Sequence, residues 1–435
     1  MIATQNQDLE ALWLPALREL GGGIRLAYHD ALHTLHMPRL ARIGGSLDLH
    51  VNPALASVSV ESLVQVGGGV VLMDLGIEAL SLASLTTVLG SNQVPIQSGG
   101  GLWITGNAHL QHLSFPVLEQ LSGQLAVQGT PLQSLGLPVL RSASDLRVTG
   151  ASCSALAFPA LTTVGHMELR NLTKLTSLSL PVLRQVDHFE SRYPPLLASM
   201  AFPALVSAGA VTLEGPGLAD LAFPVLTAAK GLNVARTQAM ETLTFPALTH
   251  VDGLIQIFGH DQLTALSFPL LQAAGSLYVG GATGPDYYND ALTSVAAPAL
   301  QTLTHTLSVD GNAVLGSFEL PALAEMGGSV SVQRNELLES FSLPNLQSAA
   351  GVVVVWASRL QAVSLPRLMA VTDSVYVHDS PAVAVLDLPA LTSAGYLLLT
   401  GNEALEALNL PQLSAIAHDV KVRDNPSLAA CLVDA

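Results

Sequence analysis

Charge is scarce in this 435-residue chain: Asp, Glu, Lys and Arg make up 11% of it, where an ordinary globular domain carries roughly 25%. Lysine is nearly missing, with only Lys174, Lys230 and Lys421, and the formal net charge is −16. That balance leaves no phosphate-neutralising surface and excludes nucleic acid as an expected partner. Cysteine is limited to Cys153 and Cys431. They lie about a dozen repeats apart, beyond disulfide reach in a stacked array, so neither a disulfide framework nor a cysteine zinc site is expected. Long hydrophobic runs are also lacking. The charge-free stretch from Ala79 to Ala108 is broken by Gly, Ser, Asn and Gln, so no membrane span is expected. Nor does a basic and apolar leader head the chain, since Met1 is followed by Ile-Ala-Thr-Gln-Asn-Gln-Asp, and the compartment has to be inferred indirectly.

What is abundant is apolar content, 49%, together with 36 glycines and 25 prolines. A single compact core stops growing at roughly 250 to 300 residues; a repeat array does not. The segment apolar-Pro-x-Leu recurs eighteen times, as in Leu14-Pro15-Ala16-Leu17, Phe115-Pro116-Val117-Leu118 and Leu410-Pro411-Gln412-Leu413. Glu61 and Ala83 replace the proline in two copies, while the leucine is present in all eighteen. Successive anchors are 21 to 23 residues apart except at insertions over 89–100 and 280–291. A fixed period of this size means stacked units.

After each proline comes a short alternating stretch, such as Leu47-Asp-Leu49 or Val375-Tyr-Val377. Period two reads as strand, and no 3.6-period segment of helix length fits between anchors. An Asn slot follows, filled by Asn52, Asn107, Asn171, Asn312, Asn335, Asn402 and Asn425, then Leu-x-x-Leu leads to the next proline. One unit cannot bury its own apolar face, so the strands are expected to stack in parallel. Leu, Val and Phe then form internal columns, and Asn satisfies backbone groups at the corners. Phe115, Phe158, Phe202, Phe223, Phe245 and Phe268 are expected to form one stack, and proline belongs at a corner, where it costs no ladder hydrogen bond.

The pattern Gly-x-Leu-x-Val-x-Gly-Asn-x-x-Leu-x-x-Leu-x-Phe-Pro-x-Leu, closest over Gly106 to Leu118 and Gly401 to Leu413, resembles the receptor L-domain repeat and covers essentially the whole chain. The resemblance implies an all-β fold, a right-handed parallel β-helix of about eighteen turns, with a leucine-rich-repeat horseshoe as the alternative. It also implies extracellular or cell-surface binding and no reaction. Receptor L domains are shorter, cysteine-capped and led by a signal, so their ligands do not carry over. The organisation expected is one elongated solenoid over 1–435 with a C-terminal cap at 425–435. Asn6 to Leu9 already matches the Asn-x-x-Leu slot. That match reads as a fragment cut from a longer chain, or as an end covered by another chain.

Function on such a scaffold sits on outward strand positions and loops. The first outward column mixes Arg25, Asp48, Trp103, Arg147, Glu168, Glu190, Tyr278, Tyr376 and others. It shows neither a flat Thr ladder nor the Asp, Lys and Arg cluster of a β-helix lyase. Val354, Trp356, Tyr376, His378 and Leu398 are read as an exposed aromatic and apolar strip on three consecutive turns, a candidate binding site. The 280–291 insertion is read as a protruding recognition loop carrying Asp286, Tyr287, Tyr288, Asn289 and Asp290. Asp286, Asn289 and Asp290, with Asp261 nearby, form a weak calcium candidate. The histidines His29, His33, His36 and His50 follow surface positions of the repeat and not a ligand geometry, and Cys153 reads as structural. No catalytic residue, metal or cofactor is assigned.

The function expected is a non-catalytic extracellular scaffold that binds protein or glycan, in a high-GC bacterium judged by Ala and Leu richness. A structural spacer or adhesin stalk without a ligand is the rival, and a β-helix carbohydrate enzyme stands third.

Overall fold

The computed structural model describes residues 1–90, 100–281 and 284–429. The chain is all-β, a parallel β-solenoid of about eighteen turns. It divides into two compact units, 1–208 and 209–435, and the same winding builds both. Most of the first insertion and residues 430–435 of the expected cap lie outside the described residues.

A turn contributes a long strand, broken in some turns into two pieces such as Glu19–Leu20 and Ile24–Ala27, and a short one. In the first unit, Ser142–Thr149, Thr163–Arg170 and Gln185–Arg192 are neighbouring long strands in parallel register. Their inward residues form columns, Leu146 beside Met167 beside Phe189. The short strands Ser134–Gly136, Ala155–Ala157 and Ser177–Ser179 pair in the same way on a second sheet. In the second unit the long strands run from Ala228–Ala235 to Val420–Arg423, and eight short strands form one sheet. Among the described residues there is no α-helix, only a single 3-10 turn at Pro285–Tyr287.

Two β-turns per repeat explain why the leucines are fixed. In apolar-Pro-x-Leu the leucine amide closes back on the apolar residue, as Leu161 N–H does on Phe158 O at 3.2 Å. Proline sits second in that turn, where its fixed φ is suited and no N–H is needed. In Asn-x-x-Leu the second turn closes, as Leu315 N–H does on Asn312 O at 3.2 Å. Both leucines are buried.

The Asn slot is a ladder. Asn335 Nδ2 donates to Val309 O at 2.9 Å, and its Oδ1 accepts from the backbone N–H of Asn312 at 3.1 Å and from Asn312 Nδ2 at 3.2 Å. Asn52, Asn107, Asn289, Asn402 and Asn425 repeat the scheme. Asn171 does not belong to it. It lies one residue earlier, exposed and at φ 54°, and buried Leu172 holds the slot.

The phenylalanine column is also interrupted. Phe223, Phe245 and Phe268 stack at 5.7 and 5.3 Å between ring centres. Leu137 and Leu180, however, hold the same pre-proline place between Phe115, Phe158 and Phe202. Leucine fills the slot about as well, so a continuous aromatic stack is not required.

Candidate functional site

A corner residue precedes the ladder slot in nearly every turn, and it lies in the left-handed region. Gly fills it at 106, 129, 150, 259, 311 and 401, where the absence of Cβ makes φ near +60° easy. Tyr28, Val51, Tyr193, Arg236, Arg334 and Trp356 adopt the same conformation, which costs an ordinary side chain roughly 1–2 kcal/mol. Outliers of this kind cluster at functional positions.

Trp356 is the largest of them and is 46% exposed at φ 54°. Its ring lies 5.5 Å from the Arg334 guanidinium carbon, a cation–π contact. Arg334, the corner residue one turn earlier, is ion-paired to buried Asp310. Burial pushes the Asp310 carboxyl above its usual range, while Arg334 pulls it down. Arg334 is therefore held from below by a carboxylate and from the side by an indole. Beyond the corner, the rings of Tyr376 and His378 stack at 5.5 Å with planes 12° apart, and His378 Nε2 lies 3.0 Å from the Asp379 carboxylate. Leu398 is in register with Tyr376 on the next strand. Tyr396 and His418 add a further stacked pair at 4.6 Å.

Of the strip read from sequence, Trp356, Tyr376, His378 and Leu398 come together on this face. Val354 does not. It is fully buried, and the outward partner of Tyr376 is Val353. Tyr396 and His418 were missed: Tyr396 lies in the outward column next to the one read, and His418 in the bend before Val420–Arg423.

Of the 280–291 insertion, Tyr287, Tyr288 and Asn289 pack onto the scaffold, while Asp286 and Asp290 are exposed. The Tyr287 ring stacks on Phe258 at 5.0 Å, with the Arg236 guanidinium 5.1 Å from it. Tyr288 covers Gly311 so closely that a Cβ there would sit 2.0 Å from its ring. Asn289 is fully buried as a rung of the ladder. Its Oδ1 accepts the His260 N–H, and its Nδ2 donates to Ile257 O and to Asn312. Asn289 is thus withdrawn from the calcium candidate, which leaves the exposed carboxylates Asp286, Asp290 and Asp261. Among the described residues no three His, Cys, Asp or Glu side chains gather to hold a metal.

Two of the four early histidines are not surface residues. His29 is a buried occupant of the ladder position, its N–H donating to Asn52 Oδ1. His50 is buried against Asp48, with Nδ1 2.6 Å from the carboxylate. A His–Asp pair is the orienting half of a general base, but among the described residues no hydroxyl or thiol is bonded to His50. Cys153 is buried, and burial pushes its thiol up to about 11, far from a reactive thiolate.

The first unit carries an ion-pair network that a single-column reading could not reveal. Asp145, Arg147, His166, Glu168, Arg170, His188, Glu190 and Arg192 occupy outward positions of three consecutive long strands. Arg147 makes a bidentate pair with Asp145 at 2.8 Å, Arg170 bridges Glu168 at 3.0 Å and Glu190 at 2.5 Å, and Arg192 meets Glu190 at 2.8 Å. Burial alone pushes the Glu190 carboxyl upward, but Arg170, Arg192 and His188 outweigh it and hold the group below its usual range.

No family model matches the sequence, and no curated protein matches it. Among solved structures, the chain is similar to a leucine-rich repeat protein from Bacteroides ovatus ATCC 8483, at 11% identity and a TM-score of 0.37, over 92% of this chain and 87% of that one. It is also similar to YopM from Yersinia enterocolitica WA-314, at 17% identity and a TM-score of 0.29, over 96% of this chain and 92% of that one. Among the described residues no helix is long and apolar enough to cross a membrane.

Proposed function

We propose that this chain is a non-catalytic, extracellular recognition scaffold that binds a protein ligand through the second unit's face at Trp356, Arg334, Tyr376, His378, Tyr396 and Leu398. The observation that carries this reading is Trp356. A large indole is held half-exposed in a strained corner conformation that glycine fills elsewhere, stacked on an arginine whose own position is fixed by buried Asp310. Trp, Tyr and Arg are the residue types enriched at interface hot spots, and rigid anchors lose little entropy on binding. Tyr287 and Tyr288 of the 280–291 insertion, both half-buried, belong to the same unit and give a second contact surface.

The test is a screen of immobilised chain against purified extracellular proteins and a glycan array, followed by Trp356→Ala and Tyr376→Ala. A saturable protein hit should weaken by about 2 kcal/mol in each variant, roughly thirtyfold in Kd. Full binding by both variants would refute the strip. A hit on glycans alone would replace the protein ligand by a sugar, and a blank on both would favour the spacer.

A further inference from the structure

The ion-pair network of the first unit is layered. Its carboxylates lie low on the sheet, with side chains 20% exposed at Asp145, 14% at Glu168 and 8% at Glu190, while the guanidinium side chains of Arg147, Arg170 and Arg192 are 43%, 43% and 38% exposed. His166 and His188 join the outer layer, their rings 4.8 Å apart. A ligand approaching this face meets cations that are already oriented by the acids beneath them. In a chain whose net charge is −16, the three arginines and three carboxylates of this patch cancel, and the cations are its outermost charges.

We infer that this face binds an acidic polysaccharide, whose carboxylate or sulfate groups pair with Arg147, Arg170 and Arg192. Three observations favour that occupant. Successive turns of a parallel stack lie about 4.8 Å apart, so Arg170 and Arg192, in register on neighbouring strands, with Arg147 one strand earlier and two residues along, follow an oblique line suited to a linear, repeatedly charged chain. Guanidinium forks recognise carboxylate and sulfate in two-point fashion, and prior orientation by the lower carboxylates reduces the entropy lost. Gln124 and Gln128 on the neighbouring strand, together with Thr149 on the strand of Arg147 itself, supply neutral hydrogen-bonding groups for hydroxyls. An acidic protein would instead need a desolvated apolar centre, and the outward positions from Asp145 to Arg192 carry none. Tyr193, exposed at the adjoining left-handed corner, offers a ring face to a sugar. This surface is independent of the Trp356 face, so either proposal can fail alone.

The experiment measures binding of the full chain to immobilised polygalacturonate, dextran sulfate, neutral dextran and polyglutamate. Saturable binding to polygalacturonate or dextran sulfate is expected, with none to dextran, and it should weaken as salt rises because exposed charges are screened. Arg170→Gln and Arg192→Gln should each weaken it at least tenfold with an unchanged circular dichroism spectrum. Arg170→Lys, which keeps the charge and loses the fork, should weaken it measurably. Arg359→Gln, at an exposed arginine of the second unit, should leave it unchanged. Absence of binding to both acidic polysaccharides, equal binding to polyglutamate, or an equal loss in the Arg359 variant would each overturn the proposal.

Discussion

Removing one rung of the asparagine ladder should cost more than its size implies. In Asn335→Ala, Val309 O loses its donor at 2.9 Å, while the backbone N–H and Nδ2 of Asn312 lose the acceptor they share at 3.1 and 3.2 Å. All three groups are in the interior, where Asn335 and Asn312 are fully buried. Asn312 Nδ2 keeps Val279 O at 3.1 Å, whereas each of the other two groups, deprived of this partner, costs about 1–3 kcal/mol. Water reaching the vacated corner offsets part of this, so a loss of about 3 kcal/mol is expected. The comparison is Asn171→Ala, an exposed asparagine at a left-handed corner and outside the ladder, for which about 1 kcal/mol is expected from the strain of alanine at that φ. The assay is urea unfolding combined with amide hydrogen exchange. Stability in stacked repeats is dominated by nearest-neighbour terms, so lost protection should centre on the Asn312 amide. If Asn335→Ala unfolds within about 0.5 kcal/mol of the parent and the Asn312 amide stays protected, the ladder is not a stabilising element and the argument fails.

His260 should make the second unit acid-sensitive. Its Nε2 donates to Val234 O at 3.0 Å, so Nδ1 accepts the Thr237 hydroxyl at 2.6 Å, and burial lowers its pKa to about 4. Between pH 6.5, the ordinary histidine value, and about 4, the unfolded chain holds a proton that the folded one refuses. Stability therefore rises with pH through that window and falls on acidification, by about 3 kcal/mol in all. His260→Asn should flatten the profile between pH 6.5 and 4.5 relative to the parent, and parallel profiles would count against the assignment. Ser191 carries a fully buried hydroxyl with no hydrogen-bond partner among the described residues, in a column beside Leu169. Ser191→Ala should raise stability by about 1 kcal/mol; a lower denaturation midpoint would show that the hydroxyl is satisfied. Val51 is β-branched at φ 51°, so Val51→Gly should also stabilise, by about 1 kcal/mol after the glycine entropy cost, and a destabilised variant would mean that its packing outweighs the strain.

The repeat was legible because the leucine of apolar-Pro-x-Leu is present in all eighteen copies, while the second turn closes on a buried apolar residue that is usually leucine and is Val383 in one turn. Parity was harder. The number of residues between proline and strand varies from turn to turn, and Val352-Val-Val-Val355 has no alternation to show which valines face inward. Only pairing with Tyr376 shows that Val353 points outward and Val354 inward, a one-residue slip of the kind that exchanges sheet faces. The ladder was partly hidden because His29, Thr237, His260 and Ser380 are buried at its rungs, and because Asn289 sits inside what reads as an insertion. The ion-pair network escaped for a different reason. Its partners are neighbours across columns as well as along them, with Arg147 reaching Asp145 on its own strand and Glu168 on the next. Reading one column at a time separates each cation from its acid and makes a network look like a mixture. The corner column carries the plainest signal, because glycine there is the inexpensive solution and every Trp, Arg or Tyr in its place bears a conformational cost. That cost recurs at Tyr28, Val51 and Asp74 as well as at Arg334 and Trp356, and what sets the last two apart is that Asp310 fixes Arg334 and Arg334 flanks the half-exposed indole, the arrangement on which the proposed binding surface rests.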